Sequence, residues 1–134
     1  MKYRLLNYLA CPYCKDKGFP LKLITIEVRL YEKRKVGSNA SFPLCDVYCA
    51  YKEAFINELE ESTPCNECIK YEVETAVLYC DNCMRWYPVI DGFPRMLPDN
   101  YRDKRRELGF LQKYADKIPD KIKYKGKPFN FKQK

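Results

Sequence analysis

Eight cysteines carry the chemistry of this 134-residue chain, and they fall into two sets. Cys11-Pro12-Tyr13-Cys14 near the start and Cys80-Asp81-Asn82-Cys83 in the middle are each a Cys-x-x-Cys pair. Two cysteines separated by two residues can both point thiolates at one metal ion, and two such pairs complete a tetrahedral site. A four-cysteine site is structural, because no coordination position is left for substrate. Zinc is expected rather than rubredoxin-type iron, since Lys15 and Met84 stand where rubredoxin knuckles usually have glycine. Closing the two pairs on one ion brings the start of the chain against its middle. Everything between becomes an excursion from one small metal-centred module.

The second set is Cys45, Cys49, Cys65 and Cys68. Two outcomes stay open for it. One is a second four-cysteine zinc site. The other is a helical hairpin stapled by Cys45–Cys68 and Cys49–Cys65, each bridge typically contributing about 2–4 kcal/mol. Four reduced, buried thiols are the plain alternative. The chain has no histidine, two glutamines and abundant Lys and Glu. That composition resembles a thermophile's, and hyperthermophiles keep disulfides inside cells, which favours the bridges.

Nothing else in the chain has the form of a catalytic constellation. Without histidine the usual proton shuttle at neutral pH is missing. There is no phosphate-binding glycine-rich loop and no nucleophile motif, so an independent enzyme is not expected. No targeting segment and no stretch of about 20 apolar residues is visible, which gives a cytoplasmic expectation. The formal charge of +7 is unevenly placed: residues 99–134 hold 12 of the 25 basic and 5 of the 18 acidic residues. A neutral body therefore carries a basic appendage. Arg102, Lys104, Arg105, Arg106, Lys121, Lys123, Lys125 and Lys127, with Tyr124, would suit RNA phosphates and a stacked base. A solvated, solubilising tail is the equal alternative.

The elements that must position these residues follow from periodicity. Leu5, Leu6 and Leu9 share one face of a short helical turn beside the first pair. Ile24, Ile26, Val28 and Leu30 alternate with polar residues and predict a half-buried strand over 21–30. Residues 32–43 read as a loop. Leu44, Val47, Tyr48, Tyr51, Phe55 and Leu59 recur at three- and four-residue steps and predict a helix over 44–61, followed by a short turn at 64–70 with Thr63 as N-cap and Pro64 as first helical position. Alternation from Tyr71 to Tyr79 predicts a strand running into Cys80. Short strands at 85–90 and 93–97 flank a turn at Asp91-Gly92, with Pro88 and Pro94 marking them as edge or irregular. A thin stripe of Leu108, Leu111, Tyr114 and Ala115 predicts a basic helix from 99 to 117, and the chain after Pro119 reads as extended and mobile.

Arg4-Leu5-Leu6, Leu9, Cys11-Pro12 and Cys14, then Cys80, Cys83, Tyr87-Pro88, Ile90, Asp91-Gly92, Pro94 and Met96-Leu97 resemble, in order and spacing, the small zinc-ribbon activator of methyltransferases, the "Trm-one-twelve" family. The resemblance covers residues 3–30 and 71–98. It implies a non-catalytic subunit that binds, stabilises and activates S-adenosylmethionine-dependent methyltransferases acting on tRNA, rRNA or a translation release factor. It also implies a heterodimer in which the two proteins extend one sheet edge to edge. Ile90, Phe93, Pro94, Met96 and Leu97 stand at the positions that would contribute apolar contacts. Phe93 replaces a frequent Ile, and Arg95 replaces a common polar residue such as Asn. The second cysteine set and the basic tail depart from the family pattern.

The expectation is therefore an α+β protein with three parts. Residues 1–31 and 70–98 form a zinc ribbon with a small antiparallel sheet, 32–69 an inserted helical hairpin, and 99–134 a basic helix and tail. Zinc is its structural cofactor and a methyltransferase its partner. A free-standing RNA-binding zinc ribbon is the alternative.

Overall fold

The computed structural model describes residues 1–59 and 63–132. Its centre is a four-stranded antiparallel sheet of β1 (Lys22–Leu30), β4 (Tyr71–Tyr79), β5 (Trp86–Ile90) and β6 (Phe93–Pro94), in that spatial order. Mixed helix and sheet around a small antiparallel sheet is the class expected. β4 lies inside the sheet, and every residue from Thr75 to Tyr79 is buried, so both faces are covered at that end, while Val28 and Leu30 at the far end of β1 are exposed. Antiparallel partners share a face. Leu23, Leu78 and Tyr87 line one face, and Ile24, Val77 and Pro88 the other.

The first face packs against the N-terminal segment. A 3-10 turn at Tyr3–Asn7 buries Leu6 completely, and Leu5 and Leu9 pack, partly buried, against the core that contains Leu78, Tyr87 and Val89. The expected leucine face is there. The second face packs against the C-terminal part of the chain. Leu111 from α2 (Lys104–Lys113) and Ile122 from α3 (Asp120–Lys125) are fully buried with Val77 and Trp86, and Ile118 joins them. Asp103 caps α2 by accepting the Arg106 backbone N–H at 3.2 Å.

Three expectations need correction. The chain after Pro119 is not extended: α3 starts there and its Ile122 sits in the core. Ile118 in the bend before Pro119 and Ile122 within α3 are both buried in the same cluster and anchor the segment among its lysines. The helix over 44–61 is absent among the described residues, and 60–61 lie outside them. The segment instead forms a β-hairpin of β2 (Tyr48–Cys49) and β3 (Ala54–Phe55), then a 3-10 turn. Tyr48 pairs with Phe55 across it, their rings edge-on at 5.4 Å, and Asn7 holds β2 by accepting the N–H groups of Val47 and Tyr48 at 3.0 and 2.9 Å. Aromatic and β-branched residues suit a strand, and these tertiary contacts outweigh the helical spacing. The insertion is thus a hairpin of strands followed by one helical turn, α1 (Cys65–Cys68), rather than a helical hairpin. Pro64 stands at the N-cap of α1 rather than at its first helical position, and the Thr63 hydroxyl contacts Cys65 Sγ at 3.0 Å instead of capping the turn.

β5 lies between two strands despite Pro88. The Pro88 carbonyl accepts the Arg95 N–H at 2.9 Å, on the β6 side. A residue's N and O point to the same side of a strand, so the missing N–H faces the short β6 ladder and the β4–β5 pairing loses nothing. Asp91 (φ 52°) and Gly92 (φ 80°) form the expected two-residue turn between Ile90 and Phe93. Two positive φ values are what such a hairpin turn requires.

Candidate metal centre and exposed segment

Each Cys-x-x-Cys pair sits in a tight loop, and the two loops are built alike. In the first, the Lys15 N–H donates to the Cys11 carbonyl at 2.8 Å; in the second, the Met84 N–H donates to the Cys80 carbonyl at 2.8 Å. Lys15 (φ 54°) and Met84 (φ 67°) both take the left-handed conformation that glycine usually supplies. The turn geometry of a metal knuckle is therefore present at both places although its usual residue is not. Gly18 closes the first loop: its carbonyl accepts the Cys11 N–H at 3.1 Å, and an added Cβ there would come within 2.5 Å of Cys11 Cβ. Nothing in the spacing of the cysteines pointed to Gly18.

The two loops meet. The sulfurs of Cys11, Cys14, Cys80 and Cys83 all lie within 4.8 Å of one another, and Cys11 Sγ to Cys83 Sγ is 3.6 Å. Zn–S bonds of about 2.3 Å in a tetrahedron put sulfurs about 3.8 Å apart, so the donor set fits zinc in number, chemistry and spacing. Burial pushes the Cys80 thiol up to about 12. A thiolate in this place needs a cation to displace its proton, which is what a bound metal does.

The surroundings of the four sulfurs are built as well. Tyr87, fully buried on β5, places its hydroxyl 3.2 Å from Cys11 Sγ. Burial, with this contact added, raises the Tyr87 phenol, so it stays a donor to the sulfur. Arg85 clamps Asp99 with hydrogen bonds of 3.0 and 2.8 Å and lies 3.7 Å over the ring of Tyr13. The Tyr13 hydroxyl accepts the Asp99 N–H at 2.7 Å. This brace joins a residue inside the first loop, one just after the second, and the start of the tail. The hydrogen bonds from Arg85 hold the Asp99 carboxyl below the usual carboxylate range. Sequence reasoning missed the brace because its members are 14 to 86 residues apart.

Cys45, Cys49, Cys65 and Cys68 line a single cavity of about 20 Å³ together with Lys2, Tyr3 and Arg4. All four are free thiols in the structure. Burial, foremost, pushes the Cys68 thiol up to about 12, and the neighbouring Cys49, Cys45 and Cys65 add to it. Among the described residues only the first set has its four ligand atoms within 4.8 Å of one another.

The apolar residues after the second knuckle divide. Met96 is half-buried against the N-terminal core, and Ile90 and Pro94 are also half-buried. Phe93 is 70% exposed and Leu97 48%. Ile90 and Leu97 border a groove of about 240 Å³ whose far wall is α2 and the residues before it, with Tyr101, Arg106 and Phe110.

The basic tail divides too. Arg102 does not reach solvent, which corrects its place among possible RNA contacts. It is 8% exposed, forms a short ion pair with Glu107, donates to the Trp86 carbonyl at 2.6 Å and lies over the rings of Trp86 and Tyr87. Lys123 donates to the Ala115 carbonyl at 2.7 Å and pairs with Asp120 at 3.1 Å. Lys121 lies 4.9 Å over the Tyr79 ring. Lys127 uses its backbone: its N–H donates to the Met84 carbonyl at 2.8 Å and its carbonyl accepts the Trp86 N–H at 3.0 Å. Lys104, Arg105, Arg106, Tyr124 and Lys125 have exposed side chains, and Tyr124 meets Phe131 edge-on at 5.8 Å. The basic residues of the tail thus divide between those engaged within the fold and those open to solvent. Among the described residues no helix is long and apolar enough to cross a membrane.

A sequence family described as Trm112p-like protein matches residues 2–92, more than half of the 134 residues. No curated protein matches the chain. The matched stretch contains both Cys-x-x-Cys loops, the insertion and the Asp91-Gly92 turn, and it ends where the exposed segment begins.

Proposed function

Because the chain belongs to the Trm112p-like family, we propose that it is a non-catalytic partner subunit that binds, stabilises and activates S-adenosylmethionine-dependent methyltransferases of the translation apparatus. Their substrates in this reading are tRNA, rRNA or a release factor. Cys11, Cys14, Cys80 and Cys83 hold one structural zinc. The ion joins the two loops and so fixes where β5 and β6 stand. In this reading residues 1–31 and 70–98 are the zinc ribbon, 32–69 the insertion, and the chain from 99 onward the cover of one sheet face.

The observation that carries the proposal is the exposed segment. Phe93 is 70% exposed and Leu97 48%, two large apolar side chains close together at the end of the sheet that β6 forms. β6 is two residues long and ends the sheet, and among the described residues no strand pairs with its outer side, where Pro94 offers a carbonyl. A bare edge beside apolar side chains is an association surface. A partner that adds a strand there would satisfy the backbone and cover both residues. Ile90, Pro94 and Met96 support the segment from within, and the groove against α2 extends the surface towards Tyr101 and Phe110.

The test is co-expression with each S-adenosylmethionine-dependent methyltransferase of the same genome that acts on tRNA, rRNA or release factor. Methyl transfer from labelled S-adenosylmethionine is then measured for the chain alone, the enzyme alone and the pair. The expected result is none from the chain, little from the enzyme and turnover from the pair. Turnover by every enzyme unaided, with no gain on adding this chain, would overturn the proposal. RNA binding by the tail is not favoured as the main role, given how Arg102, Lys121 and Lys123 are engaged.

A further inference from the structure

We propose that Cys45, Cys49, Cys65 and Cys68 bind a second zinc ion, independently of the first, and that this ion holds the insertion onto the N-terminal segment.

Four thiols from two chain segments line one small cavity. Cys65 and Cys68 are three apart on the single turn of α1, so both sulfurs leave the same side of it. Cys49 ends β2, whose other residue is latched by Asn7, and Cys45 precedes it in the same loop. The cavity between them, about 20 Å³, holds roughly one water-sized body, enough for a single ion. Among the described residues the other polar side chains lining it are basic or phenolic, Lys2, Arg4 and Tyr3, and the uncharged Thr63 hydroxyl touches Cys65 Sγ at 3.0 Å. Four thiolates and a divalent ion carry a net charge of −2, which Lys2 and Arg4 offset. Thiolate donors select a soft or borderline ion, and zinc is the one that takes four of them without redox change.

The insertion also needs such a centre. Among the described residues of 32–69, the buried ones are Cys49, Ala50 and Cys65. A segment with almost no core of its own folds on a staple. Paired disulfides are the competing staple, and their rationale was a helix presenting Cys45 and Cys49 on one face to an antiparallel neighbour. That helix is replaced by a loop and β2, which removes the rationale. The sulfurs of this set are more open than the first set's. The second ion therefore closes its site on binding and leaves it first.

The test uses the full chain, purified without added chelator or reductant, with zinc measured by plasma mass spectrometry and mass by intact-protein spectrometry. The expected result is two zinc ions per chain and a mass with all eight thiols reduced after metal removal. Cys45→Ser with Cys68→Ser should lose one of the two ions. In case that variant fails to fold, cobalt(II) titration of the metal-free wild type should give tetrahedral thiolate spectra saturating at two equivalents. A chelator titration should remove the two ions in two steps, the first step absent from the double variant. One zinc with a mass 4 Da lower would show two disulfides and overturn the proposal. One zinc with four titratable thiols left over, or cobalt saturation at one equivalent, would overturn it as well.

Discussion

Phe93 and Ile122 are both large apolar side chains in the C-terminal part of the molecule, yet Phe93 is 70% exposed and Ile122 fully buried. Phe93 follows a hairpin turn in a segment of apolar residues and prolines, whereas Ile122 stands between Lys121 and Lys123. Local composition would assign the opposite burial. The difference lies in what each has to cover. The sheet carries apolar side chains on both faces, and the N-terminal segment reaches only one of them. The basic helices α2 and α3 are what remains to close the other, so their few apolar residues go inward and their charges outward. Among the described residues the β6 edge has no such cover. A lysine-rich segment can thus be core, and an apolar one surface, when topology decides who has a neighbour.

The comparison can be broken at several places. Both regions hang on the first metal site through β5 and the Tyr13–Arg85–Asp99 brace. Removing its ion, by Cys11→Ser with Cys80→Ser, should therefore abolish cooperative unfolding altogether, a structural zinc being worth about 10–16 kcal/mol. A sharp thermal transition in that variant would mean that the sheet stands without the metal. Ile122→Asp buries an unpaired charge and should cost about 4 kcal/mol or more, read as a lower denaturant midpoint at unchanged slope. A loss under 1 kcal/mol (about the scale of a surface change) would mean that α3 does not hold to the sheet. Glu107→Gln leaves the Arg102 guanidinium buried against Trp86 without its counter-charge and should cost about 3 kcal/mol.

The Arg85–Asp99 clamp gives a smaller, pH-dependent effect. Asp99's carboxyl is depressed in the folded state by the hydrogen bonds from Arg85. A depressed carboxyl stabilises above its unfolded pKa and loses that contribution as pH falls through the folded value. Wild type should therefore exceed Asp99→Asn in stability at neutral pH, with the gap closing below about pH 4. Comparing the two cancels the protonation of the metal's thiolates, which the variant shares. A gap that stays constant down to pH 2 would remove the ion pair from the account.

Much of this was legible in the sequence. The two Cys-x-x-Cys pairs meet as their spacing implied, β1 and β4 follow their alternation, β5 falls at the expected short strand, and Asp91-Gly92 turns the chain. The fold around the second cysteine set was not legible. The apolar steps from Leu44 to Leu59 match a helix, and the Asn7 latch and the Tyr48–Phe55 pair are among the contacts that make them a hairpin. Neither contact has a local signal. The burial of Ile118 and Ile122 was hidden by the lysines around them, and the inward turn of Arg102 by its place in a run of basic residues. Truncating the tail, the natural experiment from the sequence, would strip Val77 and Trp86 of their cover and confuse a loss of binding with a loss of fold. Arg105→Ser with Lys125→Ser removes surface charge without touching the core.

The most direct measurement is the affinity of an activated methyltransferase for wild type and for Phe93→Asp with Leu97→Asp, by titration calorimetry. Zinc content and unfolding midpoint are recorded on the same samples. Both side chains are exposed, so the variant should match wild type within about 0.5 kcal/mol in stability and in bound zinc. It should nevertheless lose binding by at least about 100-fold, the roughly 3 kcal/mol expected when two interface anchors become charged. Undiminished affinity in a folded, zinc-loaded variant would contradict the account, because the bare segment after the second knuckle would then not be where the partner sits.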